Sequence, residues 1–154
     1  MSAAPLQWRG GLPVTVIGGY LGTGKTTLVN HLLRRAGGLR LCVLVNDFGA
    51  VPIDRDLIVS ADGDTLEISG GCVCCSYGSD LMETLGTLRS RLPGIEHVLL
   101  EASGVALPGA VASSVSLLPS LRVDGIVVLA DAETVRERAA DAYLGDTIQR
   151  QLAR

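Results

Sequence analysis

"GYLGTGKT", residues Gly19–Thr26, decides how the rest of the chain is read. It satisfies the pattern G-x-x-x-x-G-K-[ST] at each fixed position. It also comes directly after the apolar run "VTVIGG" (Val14–Gly19) and opens a helical pattern. That context of strand, glycine-rich turn and helix gives the pattern its mechanism. Gly19, Gly22 and Gly24 let the backbone curl until successive N–H groups point inward at phosphate oxygens. Leu21 and Thr23 occupy variable positions of the same nucleotide-binding loop. The helix start adds its positive dipole end. Lys25 supplies a cation for the β- and γ-phosphates, and the Thr26 hydroxyl can ligate Mg²⁺. The stretch reads as a phosphate-binding loop.

Composition supports that reading. Of 13 basic residues, 12 are arginine, and Lys25 is the one lysine. A wrapped loop wants a compact point charge rather than a broad planar fork, which accounts for lysine at this position. The 154 residues, 47% of them hydrophobic, suffice for one domain with a full core. The net charge of −3, without a basic run, gives nucleic acid or an anionic membrane no electrostatic footing. No apolar run approaches the ~20 residues that span a bilayer, and the opening "MSAAPLQWRGGLP" lacks a signal-peptide core. The chain is expected to be cytoplasmic, with reduced thiols.

Outward from the loop, strands are expected at Val14–Gly19, Leu41–Asp47, Thr65–Gly71, His97–Gly104 and Gly125–Ala132. Most of these runs are continuously apolar, as in a parallel sheet covered on both faces. Helical patterns fall at Lys25–Ala36 and Ser79–Leu92, with Ser79 as the N-cap of the second. The fold class is therefore α/β, a three-layer P-loop NTPase fold whose mainly parallel sheet carries helices on both faces. Polar residues gather where strands end: Lys25 and Thr26, Asn46 and Asp47, the cysteines, Glu101 and Ser103, and Asp131. Open α/β sheets bind ligands at the carboxyl ends of their strands, so these groups should share one crevice.

"SGGCVCCS", Ser69–Ser76, holds three of the four cysteines. Disulfide, metal site, redox pair and inert loop are all chemically open. A reduced compartment favours metal or redox chemistry. Thiolates are soft ligands for Zn²⁺, and Co²⁺ also enters tetrahedral sulfur sites. Three thiols without a nearby histidine leave one position open, which suits passing an ion on. Cys42, in the second strand, reads as a small hydrophobe. His31 and His97 read as structural.

"GGYLGTGKTTLVNHLL", "VNDFGAVPID", "LEISGGCVCCS", "EASGVALP" and "VVLADA" together resemble the CobW/HypB/UreG group of P-loop GTPases, specifically its CobW-like metallochaperone branch. The resemblance implies GTP hydrolysis with Mg²⁺, coupled to handling Zn²⁺ or Co²⁺ for a metal-receiving client protein. By position it implies that Lys25, Thr26 and Thr27 contact phosphate and Mg²⁺. Asn46 and Asp47 would form the switch element, while Glu101 and Gly104 stand as E-x-x-G. On this basis Lys25, Glu101 and Asp47 are the catalytic candidates, and Thr26, Asp47 and Glu101 the Mg²⁺ ligands. Cys72, Cys74 and Cys75 match the transition-metal motif.

Two departures stand out. Ala50 occupies a position that is acidic in many relatives, and no N-K-x-D guanine-reading segment is present. Residues 1–154 are accordingly expected to be one nucleotide-binding domain, incomplete at its C-terminal end, with 1–12 a flexible tail. GTP and ATP are then expected to bind with similar, weak affinity. The alternative reading is a metal-storing or sensing module that binds nucleotide through its loop without hydrolysing it.

Overall fold

The computed structural model describes residues 10–45, 57–62, 65–76 and 80–153. Along the chain run β1 (Leu12–Gly19), α1 (Lys25–Arg34), β2 (Leu41–Val45), β3 (Ile58–Asp62), β4 (Thr65–Ile68) and β5 (Cys72–Ser76). Next come α2 (Leu81–Arg91), β6 (His97–Glu101), α3 (Pro108–Ser116), β7 (Leu121–Leu129), α4 (Val135–Ala140) and α5 (Gly145–Leu152).

The seven strands form one sheet in the order β3-β4-β5-β2-β6-β1-β7. Strands β5, β2, β6, β1 and β7 are mutually parallel, and β3 and β4 are added antiparallel at one edge. Both faces of β1, β2 and β6 are covered, which is why these strands are apolar on consecutive residues rather than alternate ones. On one face Val29 and Leu33 of α1 pack on Ile17, Val43, Val45 and Leu99. On the other, Leu85 and Leu88 of α2 and Ala112 and Val115 of α3 pack on Val14, Val16, Leu44, Val98 and Leu100. Each of these Val, Leu and Ile side chains contributes roughly 1.5–3 kcal/mol by leaving water. The expected three-layer α/β fold is what the chain forms.

The expected strand 97–104 ends at Glu101 and the expected strand 125–132 runs over Leu121–Leu129, and three further local points differ. The third strand ends at Ile68, not Gly71: a 3₁₀ turn over Ser69–Gly71 places Gly70 at φ 82° and Gly71 at φ 81°. These left-handed conformations suit glycine and reverse the chain within three residues. The cysteines therefore lie within a strand, β5, instead of on a loop after one. The second change is β3, whose pairing to β4 is antiparallel with an irregularity between Ile58 and Ser60. The third concerns α2, where the cap is Asp80, whose Oδ1 accepts from Glu83 N at 2.8 Å. Ser79 lies outside the described residues. No described helix is long and apolar enough to cross a membrane.

Candidate nucleotide site

The phosphate loop joins β1 to α1. Gly22 at φ 77° and Gly24 at φ 91° turn it through conformations that a side chain would oppose. Thr23 ties the loop internally, its Oγ1 donating to Tyr20 O at 2.8 Å. Lys25 reaches back across the curl, and its Nζ donates to Gly19 O at 2.9 Å and Tyr20 O at 3.0 Å. Helix α1 starts with no side-chain cap and no acidic residue in its first turn. Its leading N–H groups and dipole are thus left to whatever the loop encloses.

Burial holds the Lys25 ammonium below its ordinary pKa, opposed by the charge of Glu101. Glu101 ends β6, directly beside Ile17 of β1 in the sheet register. Its Oε1 accepts from Thr26 Oγ1 at 3.2 Å. Burial raises the Glu101 pKa, and the Thr26 bond and Lys25 charge pull it back down. For Mg²⁺ the fit is good. A hydroxyl and a carboxylate oxygen are the hard donors this ion takes, and Thr26 and Glu101 are the residues that would hold it.

Gly104 is buried against Leu21 of the phosphate loop, where an added Cβ would lie 2.8 Å from Leu21 Cγ and 3.0 Å from Leu21 N. The structure thus brings Gly19, Leu21, Gly22, Thr23, Gly24, Lys25, Thr26, Glu101 and Gly104 together at one end of the sheet. Thr27 is exposed on the first turn of α1. Asn46, Asp47 and Ala50 lie outside the described residues.

The cysteines divide between the two faces of the sheet. Cys72 and Cys74 belong to the core under α1, whereas Cys75 and Cys42 belong to the core under α2 and α3. All four are buried thiols, none of them in a disulfide. Strand alternation is the cause of the division, since residues two apart share a face and neighbours do not. Cys72 Sγ accepts from Leu41 N at 3.3 Å and donates to Leu39 O at 3.5 Å. Burial pushes the Cys74 thiol up to about 12, with Cys75 and Glu101 adding to the effect. A hydrogen bond with Cys75, together with burial, holds Cys42 well above the usual thiol range. Among the described residues, no group of three or more His, Cys, Asp and Glu side chains is placed to hold one ion.

Two contacts were not legible in the motif. Arg138 of α4 donates from Nη1 to Leu21 O at 3.2 Å, and its guanidinium lies 5.7 Å from the centre of the Tyr20 ring. Gln151 of α5 donates to Gly104 O and Ala106 O, both at 2.9 Å. The available signal was a glutamine three residues after Ile148, on the buried side of an amphipathic helix. His97 pairs through Nε2 with Thr15 Oγ1 at 2.8 Å, within the sheet.

The sequence and the fold have counterparts. The zinc chaperone CobW of a Sinorhizobium species is 34% identical over 137 residues, covering 82% of this chain and 38% of that protein. The zinc chaperone YjiA of Escherichia coli is 33% identical over 129 residues, covering 79% and 41%. The zinc-regulated GTPase metalloprotein activator 1 of Saccharomyces cerevisiae is 31% identical over 134 residues, covering 80% and 31%. The chain thus spans well under half the length of these curated relatives. A crystal structure of the Zn(II)-bound YjiA GTPase superposes with a TM-score of 0.65 at 27% identity, covering 91% of this chain and 46% of that one. The family described as CobW/HypB/UreG, nucleotide-binding domain, matches residues 13–154, and with phosphate loop and parallel sheet in agreement the chain belongs to that family.

Proposed function

We propose that this chain is the nucleotide-binding core of a GTP-hydrolysing, metallochaperone-type protein that handles zinc or cobalt. The observation that carries the reading is the Thr26–Glu101 hydrogen bond beside Lys25. It joins a metal-ligating hydroxyl, a carboxylate and a cation at the mouth of a loop curled for phosphate. Phosphoryl transfer to water needs positioning and charge neutralisation more than covalent chemistry. Lys25, aimed across the loop by Gly19 O and Tyr20 O, offsets charge on the β- and γ-phosphates. Thr26 and Glu101, with Asp47, are the residues that would hold Mg²⁺. When bound, that ion neutralises charge developing on the phosphate oxygens. Glu101 also orients the γ-phosphate or the attacking water, and Gly104 lines the same crevice from the loop after β6.

Cys72, Cys74 and Cys75 carry the metal-handling half of the proposal. The relatives are named for zinc, and thiols are the soft ligands this chain offers. Since β5 directs Cys75 away from Cys72 and Cys74, an ion bound by all three requires β5 to give up part of its pairing with β2 or β4. A receiving client protein completes the scheme.

Phosphate release from GTP, measured with and without Zn²⁺ on the chain and on a Cys72/Cys74/Cys75→Ser variant, tests the reading. Zinc-responsive turnover that the triple variant loses supports it. Nucleotide binding without turnover would instead make the protein a binding module.

A further inference from the structure

Gln151 is 3% exposed, on a helix whose buried neighbours include Ile148. Its Nε2 donates to Gly104 O and to Ala106 O. A side-chain amide has two N–H donors, so both are spent on one loop. Packing alone does not call for an amide here, because an apolar side chain could fill the place beside Leu129 and Ile148 without being desolvated. The loop it grips is the one after Glu101. Gly104 also abuts Leu21 of the phosphate loop. Leu21 O in turn accepts from Arg138, which lies over Tyr20. Helices α4 and α5 therefore hold the phosphate loop at Leu21 and the post-β6 loop at Gly104, and Gln151 is the buried member of that hold.

We propose that Gln151 is a positioning residue that presets the Gly104 loop against the phosphate loop for the third phosphate of a nucleotide. The proposal rests on the assignment of residues 19–26 to nucleotide binding. A shift of Gly104 relative to α5 stretches the Gln151 bond to Gly104 O, and the second bond, to Ala106 O, ties the same loop, so the two bonds favour the close position before nucleotide arrives. On this proposal the last phosphate of a nucleoside triphosphate lies on the Leu21–Gly104 side of the crevice and benefits from that preset position, whereas a diphosphate, one phosphate shorter, does not extend to it.

The test compares binding of Mg²⁺-GDP and of a Mg²⁺-bound non-hydrolysable GTP analogue to the wild-type chain and to Gln151→Met, which keeps length and volume but has no donor. The expected result is a loss of at least about fivefold for the analogue, with GDP affinity within about twofold. Equal losses for both nucleotides would mark a merely structural residue and overturn the proposal, as would no change or a gain for the analogue. If Gln151→Met does not fold, hydrogen exchange on the wild type decides. The analogue, relative to GDP, should protect backbone amides of residues 103–107 and of α5 together. Protection of the loop without α5 overturns the coupling. Wild-type chain that binds neither nucleotide overturns this proposal and the nucleotide-binding assignment together. Wild-type binding with normal discrimination in Gln151→Met overturns the role of Gln151 alone.

Discussion

Thr26 Oγ1 donates to Glu101 Oε1 at 3.2 Å across 75 positions of sequence, from the first turn of α1 to the end of β6. The bond exists because β1 and β6 are parallel neighbours, so the helix after one strand and the last residue of the other meet at the same edge of the sheet. Burial, the largest influence on Glu101, raises its carboxyl pKa above 4.5. The folded protein then holds that proton more tightly than the unfolded chain, and stability falls as pH rises from the ordinary glutamate range through the folded value.

Glu101→Gln removes that pH dependence. At pH 7 the variant should melt at the same temperature as wild type or higher, while its Mg²⁺-dependent nucleotide affinity drops by at least tenfold. Melting curves at pH 5 and 7 with a Mg²⁺ titration check both halves. A variant that melts well below wild type at pH 7 would show that the carboxylate supports the fold rather than the metal.

The cysteine strand makes a kinetic prediction. With four buried thiols, the metal-free folded chain should show no fast-reacting cysteine toward a thiol-specific disulfide reagent, and four after denaturation. Modification of Cys72, Cys74 or Cys75 at the rate of an unstructured peptide would mean that β5 does not stay paired between β2 and β4.

Under the proposed cysteine site, zinc or cobalt binding should strengthen with pH, because a cysteine binds metal as the thiolate and burial pushes the Cys74 thiol up to about 12. Each thiol that must lose its proton adds roughly tenfold in apparent affinity per pH unit. Competition titrations at pH 6.5 and 8.0 measure the slope, and a flat profile would point to carboxylate or histidine ligands instead.

The turn into α2 offers a test of local folding. Asp80→Ala removes the bond to Glu83 N and should cost about 1 kcal/mol, lowering the melting temperature by a few degrees. Calorimetry would detect it, and an unchanged midpoint would place the cap elsewhere.

Much of the fold was legible in residues 19–26, because a glycine-rich turn between strand and helix has few physical uses and a lone lysine narrows them further. The parallel sheet followed from continuous apolar runs such as Leu41–Val45. The position of the thiols did not follow. The sequence reads as a strand to Gly71 with the cysteines following it, yet Gly70 and Gly71 form the turn and Cys72–Ser76 is a strand whose alternation separates the thiols. Buried cysteine packs as a small hydrophobe, so a strand and a metal loop have the same local composition. Gln151 escaped for a different reason. Its partners lie 47 and 45 residues away, and no local pattern encodes a bond formed only when α5 packs beside the β6 loop.

The central claim is that residues 19–26 bind the phosphates of a nucleotide through Lys25, and calorimetric titration of Mg²⁺-GTP into wild type and Lys25→Ala tests it most directly. The lysine reaches across its own loop to Gly19 O and Tyr20 O rather than into the core, so the variant should keep its fold. Losing charge-assisted bonds of roughly 1.5–3 kcal/mol should weaken binding by about ten- to more than a hundredfold. Saturable one-to-one binding to wild type, lost or weakened to that extent in a folded Lys25→Ala chain, is the predicted result. Equal affinity in the two proteins would contradict the phosphate-loop assignment and everything built on it.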